Sequence, residues 1–423
     1  MKHTILLLLT ALTVSTQARD AVPAIPANAR LAIVGDSITE QKLYSNFIET
    51  YLLASAGRSD LHCMQFGWGG ERASGFAARL QNDLSAFSPT VATLCYGMND
   101  GSYVPYNPAI GAEYEKWMRS VLQQLPGAGV TLVVAGSPGA VDTRFYAKEF
   151  GKQTPADVYN DNLAHLRDID KKLATEFHQR FADVHQLMID SMAKAKAANG
   201  NDYDVCGHDG VHPGSNGHLL MAMAYLKALG CDGNIGDITL DMAGQSSVSD
   251  GHKIIGGSGA SVQLESTNWP FCFDADPKAS HSTRSILPFC TFNQDLNRLT
   301  LKVKGLTSAK GKVTWGTESK EFSAEQLAAG INLAAEFAKT PFDAAFAQLT
   351  TAVAAKQAYE TPLIKDMITK YRAFAEDAKA DAEFAAALNT VKAKLIAKQQ
   401  KLDATVHSRL VPVKHSLSVE AAK

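Results

Sequence analysis

The sequence has 423 residues, which at roughly 150 residues per domain predicts two to three domains. Hydrophobic residues make up 46% and charged residues 20% of the chain, which excludes an intrinsically disordered protein. The formal net charge of −2 argues against a strongly basic surface for nucleic acids, so we expect no nucleic-acid partner.

The first residues have the pattern of a cleaved secretory signal. The basic residue Lys2 precedes an apolar run from Ile5 to Val14 that is too short to span a bilayer, and small residues follow at Thr16 and Ala18. We therefore expect residues 1–18 to be removed, and the mature protein to be secreted or periplasmic with no membrane span. A buried N-terminal helix is the alternative, but no amphipathic pattern supports it.

From residue 30 to about residue 230, short apolar runs alternate with helical periodicity. The runs that predict strands are Leu31–Val34, Leu61–Phe66, Val91–Gly97, Val130–Gly136 and Phe181–Val184. The periodic segments between them include Gln41–Ala56, Ile110–Leu125 and Pro155–Phe177. Continuous β-rich runs separated by helices predict an α/β domain, with a parallel sheet covered on both faces. Ligands of such domains bind beyond the carboxyl ends of the strands.

Residues 233–322 have a different character. They are rich in Gly, Ser and Thr and contain short strand-like pieces, with no convincing helix: Ser261–Leu264, Leu299–Val303 and Lys312–Trp315. This pattern predicts a small β-sandwich. Its aromatic residues could form an exposed carbohydrate platform or a core, and the alternation within Phe271–Phe273 favours the core.

Residues 323–408 are predicted to be α-helical. No glycine follows Gly330, and alanine, the best helix former, is abundant. Ser323 and Gln326 have the spacing of a capping box that would begin the first helix. Pro341 and Pro362 are expected to separate two or three helices.

The six cysteines are compatible with disulfides in an exported protein. We expect two local disulfides, and two buried thiols in apolar, strand-like runs. The expected disulfides are Cys206–Cys231 and Cys272–Cys290, and the expected buried thiols are Cys63 and Cys95. The sequence contains no C-x-x-C, so zinc ribbons and thioredoxin-type chemistry are unsupported.

The clearest chemical signal is the run Gly35-Asp36-Ser37-Ile38-Thr39, directly after the first predicted strand. A serine at the carboxyl end of a central strand and at a helix N-terminus lies beside backbone N–H groups that can stabilise an oxyanion. Thr39 in the fifth position distinguishes the run from the G-x-S-x-G nucleophile elbow. Alone, the run is equally compatible with a simple capped turn.

A second signal is Asp209-Gly210-Val211-His212-Pro213, in a Gly-rich loop before the last helix of the α/β region. A serine hydroxyl is a weak nucleophile until a nearby base removes its proton. His212 can supply that base, and Asp209 can fix its tautomer and orientation. Both ends of such a triad would then lie on loops at strand ends.

Two further loops follow the second and third predicted strands: Gly67–Arg72 and Gly97–Asp100. Glycine allows a backbone N–H to approach a ligand closely, and an asparagine amide is a neutral donor. With the Ser37 N–H, the Gly70 N–H and the Asn99 side chain would make an oxyanion hole of three donors. Singly, each loop is compatible with a structural turn.

Together the four blocks resemble the SGNH (GDSL-type) hydrolase family over about residues 30–230. The resemblance implies a flavodoxin-like three-layer α/β/α fold and ester hydrolysis through a serine acyl-enzyme. By position, it implies that Ser37 is the nucleophile, that His212 is base and then acid, and that Asp209 orients His212. It likewise implies that Gly70 and Asn99 are oxyanion donors.

The sequence departs from the family pattern at two positions. Ile38 stands where the GDSL name has leucine, and Glu71 follows the second-block glycine where many relatives have aspartate. Neither departure removes a reacting group, so both bear on subfamily more than on activity.

A metal site is an alternative interpretation of His208, Asp209 and His212, which are close in sequence and could all be ligands. The remaining ligands have no obvious source and H-E-x-x-H is absent, so we expect no metal and no cofactor. His208 and His218 are then expected in a loop or on a helix surface.

These patterns predict a secreted serine esterase that removes short acyl groups, acetyl above all, from a small-molecule or polysaccharide ester. Trp68, Arg72 and Tyr103 flank the loops and could contact a sugar or simply pack within the loops. One alternative is a lipid or aryl esterase of the same family. Another is a glycan-binding surface protein with an inactive hydrolase domain. The oligomeric state is left open.

Overall fold

The computed structural model describes residues 25–146, 154–274, 276, 279 and 281–422. The predicted signal segment, residues 1–18, lies outside these ranges. Within them, no helix is both long enough and apolar enough to cross a bilayer.

A parallel sheet forms the centre of the first half of the chain. Its strands are β1 (Arg30–Gly35), β2 (His62–Gln65), β3 (Val91–Cys95), β4 (Leu132–Gly136) and β5 (Arg180–Ala182). They lie in the order β2-β1-β3-β4-β5, and every neighbouring pair is parallel. This is the flavodoxin-like order, and it confirms the predicted doubly wound sheet. Strands β3 and β4 are buried along their whole length, which explains why their sequences are continuously apolar.

Helices cover both faces of this sheet. They are α1 (Ser37–Glu40), α2 (Tyr44–Thr50), α3 (Ala73–Ser85), α4 (Pro108–Gln124), α5 (Ala156–Glu176), α6 (Val184–Asn199) and α7 (Ser215–Ala228). Helix α2 continues as one π-helical turn at Tyr51–Ser55. Helix α7 is buried on nearly all sides, and its Tyr225 hydroxyl donates a hydrogen bond of 2.7 Å to the Leu94 carbonyl on β3.

His218, which was expected in a loop or on a helix surface, is instead fully buried on α7. Its Nδ1 accepts a hydrogen bond from the Tyr44 backbone N–H at 3.2 Å, so Nε2 carries the proton toward the Gln41 Oε1 at 3.0 Å. Burial lowers the pKa of His218 to about 3, which keeps the ring neutral. The prediction was wrong because a neutral imidazole with both nitrogens hydrogen-bonded can lie within a core.

Two further sheets follow in the chain. Their strands are β6 (Asn234–Asp241), β7 (Ser247–Val248), β8 (His252–Ser258), β9 (Ser261–Ser266), β10 (Arg298–Lys304), β11 (Lys310–Trp315), β12 (Glu318–Ser323), β13 (Ile331–Asn332) and β14 (Val413–Ala422). One sheet has the order β13-β10-β6-β7 and the other the order β12-β11-β14-β9-β8. Apolar residues of both sheets, including Leu264, Leu301 and Trp315, share one core.

Two details of this region differ from the sequence-based expectation. Short helices α8 (Thr283–Ile286) and α9 (Phe292–Leu296) occur where no helix was expected. Helix α8 begins because the Ser282 side chain accepts a hydrogen bond from the Ser285 backbone N–H. Strand β14 returns to the middle of the second sheet, between β11 and β9, from beyond the predicted helical region.

The helical region contains α10 (Ala324–Ala329), α11 (Leu333–Glu336), α12 (Asp343–Pro362), α13 (Ala375–Ala380) and α14 (Ala382–His407). The predicted capping box of Ser323 and Gln326 is present at the start of α10. Pro341 lies between α11 and α12, as expected. Pro362 does not separate two helices, because α12 continues directly into a π-helical segment, Leu363–Ile368. The π-helical segment begins directly after Pro362, whose missing N–H interrupts the hydrogen-bond pattern of the α-helix.

The predicted disulfides are wrong, since all six cysteines are free thiols in the structure. The Cys272 Sγ lies 3.4 Å from the Pro270 carbonyl and 3.5 Å from the Thr340 hydroxyl, so it is directed at these oxygens instead of another sulfur. Burial raises the pKa of Cys290 to about 11, which keeps this thiol protonated. Cys63 and Cys95 are buried thiols, as predicted.

A buried polar network joins α12 to the hydrolase half of the chain. The Lys356 ammonium group lies 2.9 Å from a Glu49 carboxylate oxygen on α2 and 3.1 Å from Glu360 on its own helix. Gln357 donates a hydrogen bond of 2.8 Å to Glu49 and accepts one of 2.7 Å from the Ser45 hydroxyl. The helical region therefore packs directly against α2.

Candidate active site

Ser37 lies at the junction of β1 and α1. A side chain at Gly35 would come within 2.1 Å of the Thr39 hydroxyl and 2.7 Å of the Cys95 carbonyl, so only glycine fits between them. The Asp36 side chain caps α1 by accepting a hydrogen bond of 3.0 Å from the Ile38 N–H. This cap ends the strand and makes Ser37 the first residue of the helix, at the carboxyl edge of the sheet. Burial raises the pKa of Asp36 to about 7.

The loop before α7 brings a histidine to this serine. The Ser37 Oγ lies 2.8 Å from the His212 Nε2, although 175 positions separate the two residues in sequence. The His212 Nδ1 lies 2.6 Å from the Asp209 Oδ2. The other Asp209 oxygen accepts hydrogen bonds from the backbone N–H groups of Val211 and His212, at 2.8 and 2.9 Å. The structure thus places Ser37, His212 and Asp209 in one hydrogen-bonded chain.

Within this hydrogen-bonded chain, Asp209 and His212 each favour the charged form of the other. Burial opposes ionisation of Asp209, but the hydrogen bonds from His212 and Val211 outweigh it and lower the carboxyl pKa. The hydrogen bond to Asp209 in turn raises the pKa of His212, against the effect of burial. Because the ionised Asp209 accepts a hydrogen bond from the His212 Nδ1–H, the neutral His212 ring has its lone pair at Nε2. This lone pair faces the Ser37 hydroxyl.

The two predicted donor loops lie beside Ser37. Gly70 has a φ of 73°, a left-handed conformation that favours glycine, and open space lies where its side chain would be. The Asn99 Nδ2 lies 3.1 Å from the Glu71 carbonyl and 3.4 Å from the Asp36 carboxylate, which places Asn99 next to the Ser37 turn. Among the contacts of the described residues, neither the Ser37 nor the Gly70 N–H donates to a protein acceptor.

Sequence comparison agrees with this geometry: residues 33–220 match the model of the GDSL-like Lipase/Acylhydrolase family. The chain contains a GDSL-like acylhydrolase domain. The resemblance inferred from the four sequence blocks is therefore confirmed, and the chain is an ester hydrolase. None of the curated proteins matches the sequence.

Solved structures show how far the architecture is shared. BT4096, described as a gut microbial diltiazem-metabolizing enzyme, is similar over 95% of this chain and 99% of its own, with 20% identity and a TM-score of 0.73. This match extends the shared fold beyond the acylhydrolase domain to the β-sheets and helices that follow. Axe2, an acetylxylan esterase from Geobacillus stearothermophilus, is similar over 49% of this chain and 97% of its own, with 18% identity and a TM-score of 0.40.

A buried ionic network under the second loop of the acylhydrolase domain was missed by sequence reasoning. Arg79 on α3 donates hydrogen bonds of 2.7 and 2.8 Å to the two carboxylate oxygens of Glu71, and Tyr96 adds a third of 2.6 Å. Because the Glu71 carbonyl accepts from Asn99, this network positions the Asn99 amide. In the sequence, Glu71 stands out only as a subfamily difference. The available signal was the charged Arg79 among the apolar residues Phe76, Ala77, Leu80 and Leu84.

Tyr103, predicted as a substrate contact, orients the Asn99 amide in the structure. Its hydroxyl donates a hydrogen bond of 2.9 Å to the Asn99 Oδ1, which leaves Nδ2 as the donor end of that side chain. Ser102 and Tyr103 have φ values of 59° and 58°, an unusual left-handed pair for residues other than glycine. The Tyr103 ring stacks on Tyr159 with centroids 5.1 Å apart, which helps to hold this conformation.

The two other predicted substrate contacts differ in accessibility. Arg72 is exposed, and its guanidinium lies 3.2 Å from the Ser102 hydroxyl at the edge of the acylhydrolase site. Trp68 is half-buried, with the cationic groups of Arg79 and Lys365 each 5.1 Å from its ring centroid. Arg72 is therefore the more accessible of the two for a bound molecule.

The helical region also reaches the candidate active site. Lys365 donates a hydrogen bond of 2.7 Å to one Glu40 carboxylate oxygen, and the other oxygen accepts from the Gly69 N–H. Gly69 directly precedes Gly70 in the second loop. A residue more than 140 positions beyond the end of the family match thus supports a loop of the site.

The raised pKa of His212 predicts how ester hydrolysis depends on pH. We expect kcat/KM for an aryl acetate to fall as the pH is lowered through this pKa, because a protonated imidazole cannot accept the serine proton. Since Asp209 raises the pKa, the acid limb should lie above the ordinary histidine value, and Asp209→Asn should move it to lower pH. An acid limb that stays in place in Asp209→Asn would contradict this assignment.

Proposed function

We propose that this chain is an exported serine esterase that removes short acyl groups, acetyl first, from carbohydrate esters. In this proposal Ser37 is the nucleophile, His212 the general base and then acid, and Asp209 the residue that orients His212. The main support is the 2.8 Å contact between the Ser37 Oγ and the His212 Nε2, together with the 2.6 Å contact between the His212 Nδ1 and the Asp209 Oδ2. The sequence pattern of residues 1–18 supports export.

The reaction follows from these contacts. The Ser37 Oγ attacks the ester carbonyl carbon while its proton passes to the His212 Nε2. The tetrahedral adduct then collapses, the alcohol leaves with the proton from Nε2, and an acyl-Ser37 ester remains. Water attacks this ester with His212 again acting as base, which releases the carboxylic acid and restores the serine hydroxyl.

Three donors are proposed to stabilise the oxyanion: the N–H groups of Ser37 and Gly70, and the Asn99 Nδ2. Of the two Asn99 contacts, the one to Asp36 is the longer at 3.4 Å, so its hydrogen is the more available to a substrate oxygen. The open space at Gly70 leaves room for the substrate carbonyl. Removal of one such donor typically costs about 10²–10³ in kcat.

The polarity of the site favours a small acyl group. At the mouth of the proposed site, Asn99, Ser102 and Arg72 carry polar groups, and Val104, two residues after Ser102, is an exposed apolar side chain. Each buried methylene of an acyl chain gains about 0.8 kcal/mol only where apolar lining receives it. A hydroxyl-rich alcohol part suits this mouth, since the exposed Arg72 guanidinium can donate to sugar oxygens.

Labelling with an organophosphonate serine probe, followed by intact mass and peptide mapping, tests the proposed nucleophile. We expect one adduct per chain, on the peptide that contains Ser37, and much slower labelling of His212→Gln because the base is lost. Labelling of a different serine, or equal rates for the wild type and His212→Gln, would refute the assignment.

A chain-length series of p-nitrophenyl esters tests the acyl preference. We expect kcat/KM to be highest for acetate and to fall by about tenfold or more at eight carbons, because the polar groups of Asn99, Ser102 and Arg72 do not favour a long acyl chain. Released acetate from acetylated polysaccharides would then define the alcohol part. A preference for long acyl chains would favour the lipid-esterase alternative and leave the roles of Ser37 and His212 intact.

A further inference from the structure

A second cluster of potential ligands lies beside the loop that carries Asp209 and His212. It consists of Asp204, His208 and His281, and one ligand atom from each lies within 4.8 Å of the other two. The sequence suggested grouping His208 with Asp209 and His212. The structure instead turns His208 back toward Asp204, four positions earlier, and adds His281 from the segment before α8.

The contacts within this cluster are close but are not hydrogen bonds. The Nδ1 atoms of His208 and His281 each lie 3.0 Å from a different oxygen of Asp204. Both oxygens are buried, and within the described structure neither accepts a hydrogen bond. The two ring nitrogens therefore approach the carboxylate without pointing an N–H at it. A buried carboxylate without hydrogen bonds is costly unless a cation compensates its charge.

We propose that Asp204, His208 and His281 bind a divalent transition-metal ion of the Zn²⁺ class. Two imidazole nitrogens and one carboxylate are a common protein ligand set for zinc, with a fourth position for water. Ligand atoms about 3.3 Å apart are expected around a tetrahedral ion with bonds of about 2.0 Å, close to the 3.0 Å observed. The side chains of His208 and His281 are 76% and 41% exposed, so an ion can enter from solvent.

The backbone around the cluster is already fixed for this role. The Asn216 side chain donates a hydrogen bond of 2.6 Å to the Asp204 carbonyl, and its backbone N–H donates one of 3.1 Å to the His281 carbonyl. Both ligands are thus attached to the first turn of α7. Because His208 directly precedes Asp209, a bound ion would restrain the loop that presents Asp209 and His212 to Ser37.

Metal binding to the full chain tests this proposal without any measurement of activity. After chelator treatment and dialysis, Zn²⁺ is titrated in competition with a chromophoric chelator. We expect one site that weakens at least about tenfold in His281→Gln and in Asp204→Asn. His165→Gln is the matched control, since this exposed histidine lies 3.7 Å from Asp161 one turn away, and no third ligand joins this pair among the described residues. Unchanged affinity in His281→Gln would overturn the proposal.

A second histidine cluster must be distinguished in the same experiment. His62, Asp403 and His407 also have ligand atoms within 4.8 Å of one another, beside the buried Lys356 ammonium. We expect His407→Gln to retain the Zn²⁺ affinity of the wild type, and Zn²⁺ to raise the Tm of His407→Gln but not that of His281→Gln. Loss of binding in His407→Gln with retention in His281→Gln would place the ion at the other cluster and overturn the proposal.

Discussion

Replacing Ser37 by alanine is expected to lower kcat for an aryl acetate by at least about 10⁴-fold, with folding intact. The serine oxygen is the only protein atom in the proposed reaction that forms a bond to the acyl group, and its contact with the His212 Nε2 supplies the base. Ser37 is half-buried at the start of a short helix, so the lost hydroxyl leaves no sizeable cavity. Initial rates, with circular dichroism as a check on folding, measure the effect.

His212→Gln is expected to cost a similar factor, and the double variant is expected to be no slower than either single variant, because the two groups act as one unit. Ser85→Ala is the matched control, since this serine is exposed on α3 and its hydroxyl donates a hydrogen bond of 3.1 Å to the Asn82 carbonyl of its own helix. Turnover by Ser37→Ala within about tenfold of the wild type would remove Ser37 as the nucleophile.

The second large effect is on stability: Lys356→Met is expected to lower the free energy of unfolding by about 3–5 kcal/mol at neutral pH. Lys356 is fully buried and pairs with Glu49 and Glu360, which are also buried. Methionine fills a similar volume but leaves buried carboxylate charge uncompensated. Urea unfolding, followed by circular dichroism, gives the difference.

The pH dependence of this loss distinguishes a charge effect from a packing effect. Burial raises the pKa of Glu49 to about 7, against the opposing effect of Lys356, and removing Lys356 should raise it further. A carboxyl whose folded-state pKa is raised destabilises the fold by an amount that grows as the pH rises from its unfolded pKa to its folded pKa. Above about pH 7 this cost stops growing in the wild type but continues to grow in Lys356→Met, so we expect the deficit of the variant to shrink as the pH is lowered through about 7.

Lys379→Met provides the control for this ion pair. Lys379 pairs with Glu376 at 2.7 Å, but both side chains are largely exposed, so the change should stay within about 1 kcal/mol. Equal losses in the two variants, or a deficit in Lys356→Met that does not change with pH, would contradict the role assigned to buried charge.

The sequence was most informative where local pattern and fold agree. The apolar runs at β1, β3 and β4 predicted buried parallel strands because such strands face helices on both sides. The four motif blocks fell on the loops at the strand ends, since the strands around them were placed correctly. The sequence predicted that Ser37 and His212 lie close together only because parallel strands bring their carboxyl ends to one edge of the sheet.

What the sequence did not predict depends on contacts between distant segments. His218 has no local feature that distinguishes a buried, doubly hydrogen-bonded imidazole from a surface one. The same holds for His281, which meets Asp204 only in the folded chain. Strand β14 has alternating buried residues at His415, Leu417 and Val419, but its neighbours β9 and β11 lie far away in sequence.

The contact between Lys365 and Glu40 has a practical consequence for protein engineering. The family match ends at residue 220, yet Lys365 supports the Gly69–Gly70 turn, and Leu363 and Ile364 belong to the core around the central sheet. Excising residues 33–220 as a minimal catalyst would expose that apolar face to water and leave the turn without its anchor. Engineered versions of this esterase should therefore retain the segments that follow residue 220.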